Sequence, residues 1–235
     1  MKRNKTYTEI AFDKTFQEKE ILDYSFDTRK MGRRDRKIIK LLTKYGINGK
    51  SCIDIGPGTG RWLQFLRNNN AGFLASLDIS NIALERCKDI CDSVYKLDVE
   101  KDKYPYDDDK FDIVLSFMIL EHLRDPEIFL SEIIRITKHG GIVLMSIPNI
   151  LSFLSRIRMI FGLMPTAIVS DPTHVKFYNR KTLKKLFSVY KQTPKIVPTS
   201  FSLNPRNTKT FRIPTFHSLS SLDDHTLFYF IIKKQ

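Results

Sequence analysis

The strongest chemical signal in the sequence is the run Asp54-Ile55-Gly56-Pro57-Gly58-Thr59-Gly60. A short apolar stretch leads into Asp54, three glycines follow at alternate positions, and a helix is expected to begin near Thr59. Glycine permits a tight turn and lets a ligand lie against bare backbone. The helix start adds unpaired N–H groups pointing at that ligand. Dinucleotide loops need Gly-x-Gly-x-x-Gly, whereas here the third glycine falls one residue early and Arg61 stands in its place. An acid at Asp54 also suits a cationic ligand better than a pyrophosphate. Two more acids end apolar runs: Asp78 after Phe73–Leu77, and Asp98 after Lys96-Leu97. Asp78 is placed to grip both hydroxyls of a ribose, and Asp98 to meet an adenine amino group. One such Asp is commonly a turn former or helix cap. Three at successive strand ends mark the ligand crevice of an open parallel sheet.

The elements that must hold these acids can be read from the hydrophobic pattern. Short apolar runs at 51–55, 72–77, 93–97, 111–117 and 141–147 alternate with helical patterns near 60–69, 80–90 and 126–137. That alternation predicts a parallel sheet covered on both faces. Before it, residues 8–30 suggest one or two short helices, and Ile38 to Tyr45 have helical spacing with a stop at Gly46. After it come an apolar helix at 150–162, a Gly- and Pro-containing loop to 177, a basic helix at 180–190, and strands at 195–198 and 226–233. The apolar helix 150–162 reads first as a buried lid, with contact to a membrane surface as the alternative.

Length and composition fit one domain: 235 residues, 42% hydrophobic and 28% charged. Residues 1–34 read as an N-terminal helical cap, 150–190 as the lid and acceptor region, and 199–224 as a long loop between the last two strands. The net charge of +13 is unevenly spread. Residues 51–150 hold 11 basic and 16 acidic side chains, whereas residues 151–235 hold 14 and 3. That segregation argues against a uniform nucleic-acid coat and for a site whose far side meets anions. Three cysteines, Cys52, Cys87 and Cys91, make no disulfide framework, and a cytoplasmic setting is expected. The N-terminus shows no signal-peptide pattern, and no transmembrane segment is expected, because Arg156, Arg158, Gly162 and Pro165 break the most apolar window.

The series resembles the class I S-adenosylmethionine-dependent methyltransferases. It runs from Asp54–Gly60 through Asp78, Asp98, Phe111–Phe117 and Leu120-Glu121-His122-Leu123 to Lys138–Gly141 and Ser146-Ile147-Pro148-Asn149, covering about residues 35–195. The resemblance implies a Rossmann-like α/β fold: a seven-stranded, mostly parallel sheet of order 3-2-1-4-5-7-6, its last strand antiparallel. It implies S-adenosyl-L-methionine as cofactor. Gly56, Gly58 and Gly60 would face its amino-acid part, Asp54 its ammonium, and Asp78 with Ile79 its ribose. Asp98 with Val99 would meet the adenine, and Phe117 and Met118 the adenosine and sulfonium. Trp62 is expected to pack in the core.

Methyl transfer to a hydroxyl needs alignment, dryness and a base. The candidates are His122, beside Glu121, and His174, in Asp171-Pro-Thr-His174. Each also has a plainer reading, His122 as helix support and His174 as lid packing. No metal is expected: methyltransferases that hold a divalent ion beside the acceptor carry another Glu where Met118 stands. The reading is therefore an enzyme that O-methylates a small anionic acceptor, such as a nucleotide- or lipid-linked sugar. Arg156, Arg158, Lys176, Arg180, Lys181, Lys184 and Lys185 would pair with phosphate. An RNA or tRNA methyltransferase is the alternative, and a non-catalytic methyltransferase-like adaptor the second.

Overall fold

The computed structural model describes residues 9–13, 31–169, 171–197 and 225–232. Residues 9–13 form a short helical segment. Then follow α1 (Arg33–Tyr45), β1 (Ser51–Ile55), α2 (Arg61–Asn68), β2 (Phe73–Asp78), α3 (Asn81–Cys87), β3 (Ser93–Lys96) and β4 (Phe111–Phe117). A 3-10 turn, Leu120–His122, leads to α4 (Glu127–Ile136) and β5 (Thr137–Pro148). The remainder comprises α5 (Phe153–Ile160), α6 (Thr166–Val169), α7 (Arg180–Val189), β6 (Lys195–Val197) and β7 (His225–Ile231). Most of the expected cap, and the whole 199–224 connection, lie outside the described residues.

The seven strands form one sheet in the order β3-β2-β1-β4-β5-β7-β6. Strands β1 to β5 pair in parallel, and β7 runs antiparallel to both β5 and β6. This is the order and polarity that the family resemblance implied. Strand β1 lies between β2 and β4, so the chain winds outward from it in both directions. The strand ends there open the crevice in which such sheets bind ligands.

Strand alternation divides the core into two layers. Ile53, Ile55, Val114, Val143 and Met145 face a cluster completed by Phe129, Ile133, Leu183 and Phe187 from α4 and α7. Cys52, Ile113, Leu115 and Leu144 face Ile38, Leu42, Trp62, Leu63 and Leu66 from α1 and α2. Trp62 is thus core, as expected. Burying one large apolar side chain contributes roughly 1.5–3 kcal/mol, so these layers fix the strand ends far more firmly than any surface pair. Polar ties then register the helices. Asp35 of α1 accepts from the Gly32 amide at 3.2 Å and from Arg61 at 2.6 Å, joining α1 to the first residue of α2.

Two elements depart from the sequence reading. Strand β5 begins at Thr137 rather than 141, because its pairing with β4 slips between Phe111 and Ile113 and lets the Lys138–Gly140 run join the sheet. Helix α5 is shorter than 150–162, and it is not a buried lid: Ser155 is its one buried side chain.

Candidate functional site

A cavity of about 240 Å³ opens where β1, β2 and β4 end. Its lining includes Gly56, Gly58, Asp78, Ile79, Asp98, Val99, Phe117 and Met118. Eight of the ten residues assigned to the cofactor from sequence therefore share one wall. The other two, Asp54 and Gly60, lie outside the lining. Asp54 falls on the same strand face as Cys52, turned toward the α2 layer, and is 1% exposed. Gly60 caps α2 in the left-handed region at φ 74, where a Cβ would stand 3.1 Å from the Cys87 sulfur. A side chain there would press on α3.

Gly56 has the sharper constraint. At φ +75, a Cβ there would lie 2.2 Å from Ile119 Cδ1, inside the cavity wall. Met118, also at positive φ (61°), donates its amide to Ser146 O at 2.9 Å and turns the chain after β4 toward His122. A non-glycine residue in that region costs on the order of 1 kcal/mol and is held by its surroundings. The turn it makes brings Met118, Ile119 and His122 onto one wall.

Asp54 and Asp78 are buried, and the three acids are held differently. Asp54 Oδ1 is buried with no hydrogen-bond partner among the described residues. Burial, and then the neighbouring Asp78, push its carboxyl up to about 8. Asp78 accepts from the Ser80 amide at 2.8 Å, yet burial still pushes it up to about 7. Both groups would ionise more readily beside a positive ligand. Asp98 is held differently: Lys101 Nζ lies 2.6 Å from Oδ2, and the Glu100 amide donates to Oδ1. These acids and glycines fit the amino-acid and ribose parts of S-adenosylmethionine.

The wall also includes groups that the sequence reading missed. Phe12 lines it and meets the His122 ring edge-on at 5.1 Å. The segment carrying Phe12 is docked by Ser80 Oγ, which donates to Asp13 at 2.5 Å, and by Lys96, which donates to Glu9 at 2.6 Å. No local spacing could reveal Phe12, since His122 lies 110 residues away in sequence and the two ties that dock its segment span 67 and 87. Ile119 could have been found from its place immediately after Met118.

On the acceptor side, His122 and His174 come together with ring centroids 4.8 Å apart, and only His122 lines the cavity. Thr173 Oγ1 donates to Asp171 Oδ1 at 2.5 Å, so the same oxygen can only accept from His122 Nδ1, 3.0 Å away. Nδ1 therefore carries the hydrogen, and Nε2 keeps its lone pair. His174 Nδ1 likewise faces a carbonyl, Ala167 O, at 2.7 Å. Burial and the adjacent His174 hold the His122 imidazolium below its ordinary range. Asp171 stays low despite partial burial, because the Thr173 hydroxyl and amide both donate to it. Glu121 is 1% exposed, and neither carboxylate oxygen has a hydrogen-bond partner among the described residues; burial pushes it up to about 8. One donor atom from each of Glu121, His122 and His174 falls within 4.8 Å of the others, a convergence the sequence reading had discounted.

Comparison with known proteins agrees with this fold. Residues 27–190 match the family described as "Methyltransferase domain". The malonyl-[acyl-carrier protein] O-methyltransferase of Hamiltonella defensa subsp. Acyrthosiphon pisum (strain 5AT) is 33% identical over 108 residues, 46% of this chain and 42% of that protein. Phosphoethanolamine N-methyltransferase 2 of Caenorhabditis elegans is 30% identical over 115 residues, 46% of this chain and 26% of that one. The chain thus spans less than half the length of these curated relatives. A methyltransferase structure from Archaeoglobus fulgidus superposes with a TM-score of 0.62 at 20% identity, covering 96% of this chain and all of that one. A second, from Thermotoga maritima, gives 0.59 at 19% identity over 85% and 96%. Fold, cavity and family match converge, and the chain belongs to the methyltransferase-domain family of class I S-adenosylmethionine-dependent methyltransferases.

Proposed function

We propose that this protein transfers a methyl group to a hydroxyl of a small anionic acceptor, such as a sugar carried on a nucleotide or lipid phosphate. The observation that carries the reading is His122: it lines the cofactor cavity, and its Nδ1 is tied through Thr173 to Asp171. S-adenosylmethionine supplies a methyl carbon already activated by a sulfonium. The protein's own work is then alignment, exclusion of water and removal of one proton. Gly56, Gly58 and Asp78 would hold the cofactor, Asp54 would offset its positive charge, and Phe117 and Met118 would lie beside its reacting end. His122 Nε2 takes the hydroxyl proton, and Asp171, acting through Thr173, favours the imidazolium that results. His174, one ring behind, positions His122 against the lid.

Basic residues beyond the site support an anionic acceptor. Arg180, Lys181, Lys184 and Lys185 are exposed, and α7 contains no acid. The names of the relatives point the same way, to a malonyl carrier and a phosphorylated amine. The test is a turnover assay with S-adenosylmethionine and a panel of nucleotide sugars. Methyl transfer to a panel member supports the reading; none, together with ready methylation of RNA, would replace it with the RNA-directed alternative.

A further inference from the structure

Helix α5 and the turn after it are inside out. A surface helix normally hides its apolar face and shows its polar one. Here Ser155 is the only buried side chain of α5, while Leu154, Met159, Ile160, Phe161, Leu163 and Met164 are exposed, Ile160 at 80% and Phe161 at 75%. Large apolar side chains gathered in this way mark a surface that meets something less polar than water. At 100° per residue, Leu154, Met159 and Ile160 spread around the helix rather than along one stripe.

The charges select the partner. Residues 150–170 contain no acid, and the two charged side chains there are Arg156 and Arg158. Both are braced across the loop ends, Arg156 Nε donating to Leu151 O at 3.0 Å and Arg158 Nε to Met164 O at 2.9 Å. A second copy of the chain would set these arginines against like charge. A protein groove would take one face of the helix and leave the other apolar residues wet. An anionic bilayer surface satisfies both features: its headgroups pair with the arginines, and its acyl boundary receives apolar groups on several sides at once.

We infer that the α5–α6 segment docks on an anionic membrane surface. Among the described residues no helix is long and apolar enough to cross a bilayer, so this is contact at the interface. The docked segment is tied to the site itself, since Ala167 of α6 accepts the His174 Nδ1 hydrogen at 2.7 Å. A lipid-linked acceptor would therefore enter beside the two histidines directly from the headgroup layer, a consequence that rests on the methyl-transfer reading; the docking does not.

Co-sedimentation of the full chain with vesicles tests the docking. Vesicles of phosphatidylglycerol and phosphatidylcholine should retain the protein, and vesicles of phosphatidylcholine alone should retain much less. The double variant I160S/F161S should lose roughly tenfold or more in partitioning, and R156E/R158E should lose the preference for the anionic lipid. Cofactor affinity of both variants, measured alongside, should stay unchanged and shows that they are folded. Equal partitioning of wild type and I160S/F161S, or no retention on anionic vesicles, overturns the inference. So does a concentration-dependent dimer in solution that I160S/F161S dissociates. If anionic vesicles retain the protein but neither a lipid-linked nor a nucleotide-linked acceptor is methylated, the docking stands and the functional reading falls.

Discussion

The cofactor end of the sheet and the α5–α6 segment are built by opposite rules. At the cofactor end, side chains rest on strands whose neighbours are fully buried, and Asp54 is 1% exposed. In α5 and the turn after it, a serine is buried and the large apolar groups lie in solvent. The first region inherits its precision from the core, which packs to near-crystalline density and tolerates little displacement. The second is shaped for what it meets. Cofactor recognition should therefore be rigid and separable by mutation from acceptor chemistry, with His122 at the seam.

The largest expected effect tests that seam. His122→Ala should lower kcat by about 10²–10⁴-fold, the usual contribution of a general base, with cofactor Kd nearly unchanged. A parallel loss of cofactor affinity would move His122 into the cofactor region and erase the distinction. Next, Asp78→Asn should weaken cofactor binding by about tenfold or more, the worth of a charged hydrogen bond, measured as Kd by calorimetry. If it instead lowers kcat alone, the two regions are coupled.

A smaller effect concerns the foot of the sheet. Asp112 accepts from the Ser51 amide at 3.0 Å and from Lys138 at 2.8 Å; burial opposes its charge, but these bonds hold its carboxyl down to about 2. Because the folded value is depressed, the stabilisation is complete above the ordinary 3.8 and is lost as pH falls toward 2. Asp112→Asn should therefore cost roughly 1 kcal/mol at neutral pH, a surface-pair value after screening. In thermal melts the gap from wild type should close on acidification; a gap independent of pH would remove Asp112 from the account. The smallest effect is none at all: with His122 as the base, a chelator should leave turnover unchanged. Loss of turnover, restored by a divalent ion, would give Glu121, His122 and His174 to a cation instead.

The same contrast explains what could be read from sequence. The alternation of strands and helices, the glycine loop and the acids at strand ends were legible because each depends on local pattern, whereas the strand order and the remaining cavity-lining residues followed from the family resemblance. Gly60 falls in the same spacing, and the 3.1 Å approach of a Cβ there to the Cys87 sulfur is something only the fold reveals. Phe12 and Thr173 were missed because each acts on His122 across a long stretch of chain. The burial of helix 150–162 was misread because an apolar helix and a buried helix share one composition; exposure depends on what lies above, and sequence carries no record of that.

Calorimetric titration of the protein with S-adenosylmethionine near pH 7, in two buffers of different ionisation enthalpy, tests the central claim most directly. Burial pushes Asp54 up to about 8 and Asp78 up to about 7, so a ligand that brings an ammonium and a sulfonium to them would favour loss of their protons. The account predicts binding with net proton release, so that the observed heat differs between buffers, and affinity that rises with pH through this range. No binding at ~1 mM, a weak-binding limit, or the same heat in both buffers, would contradict it.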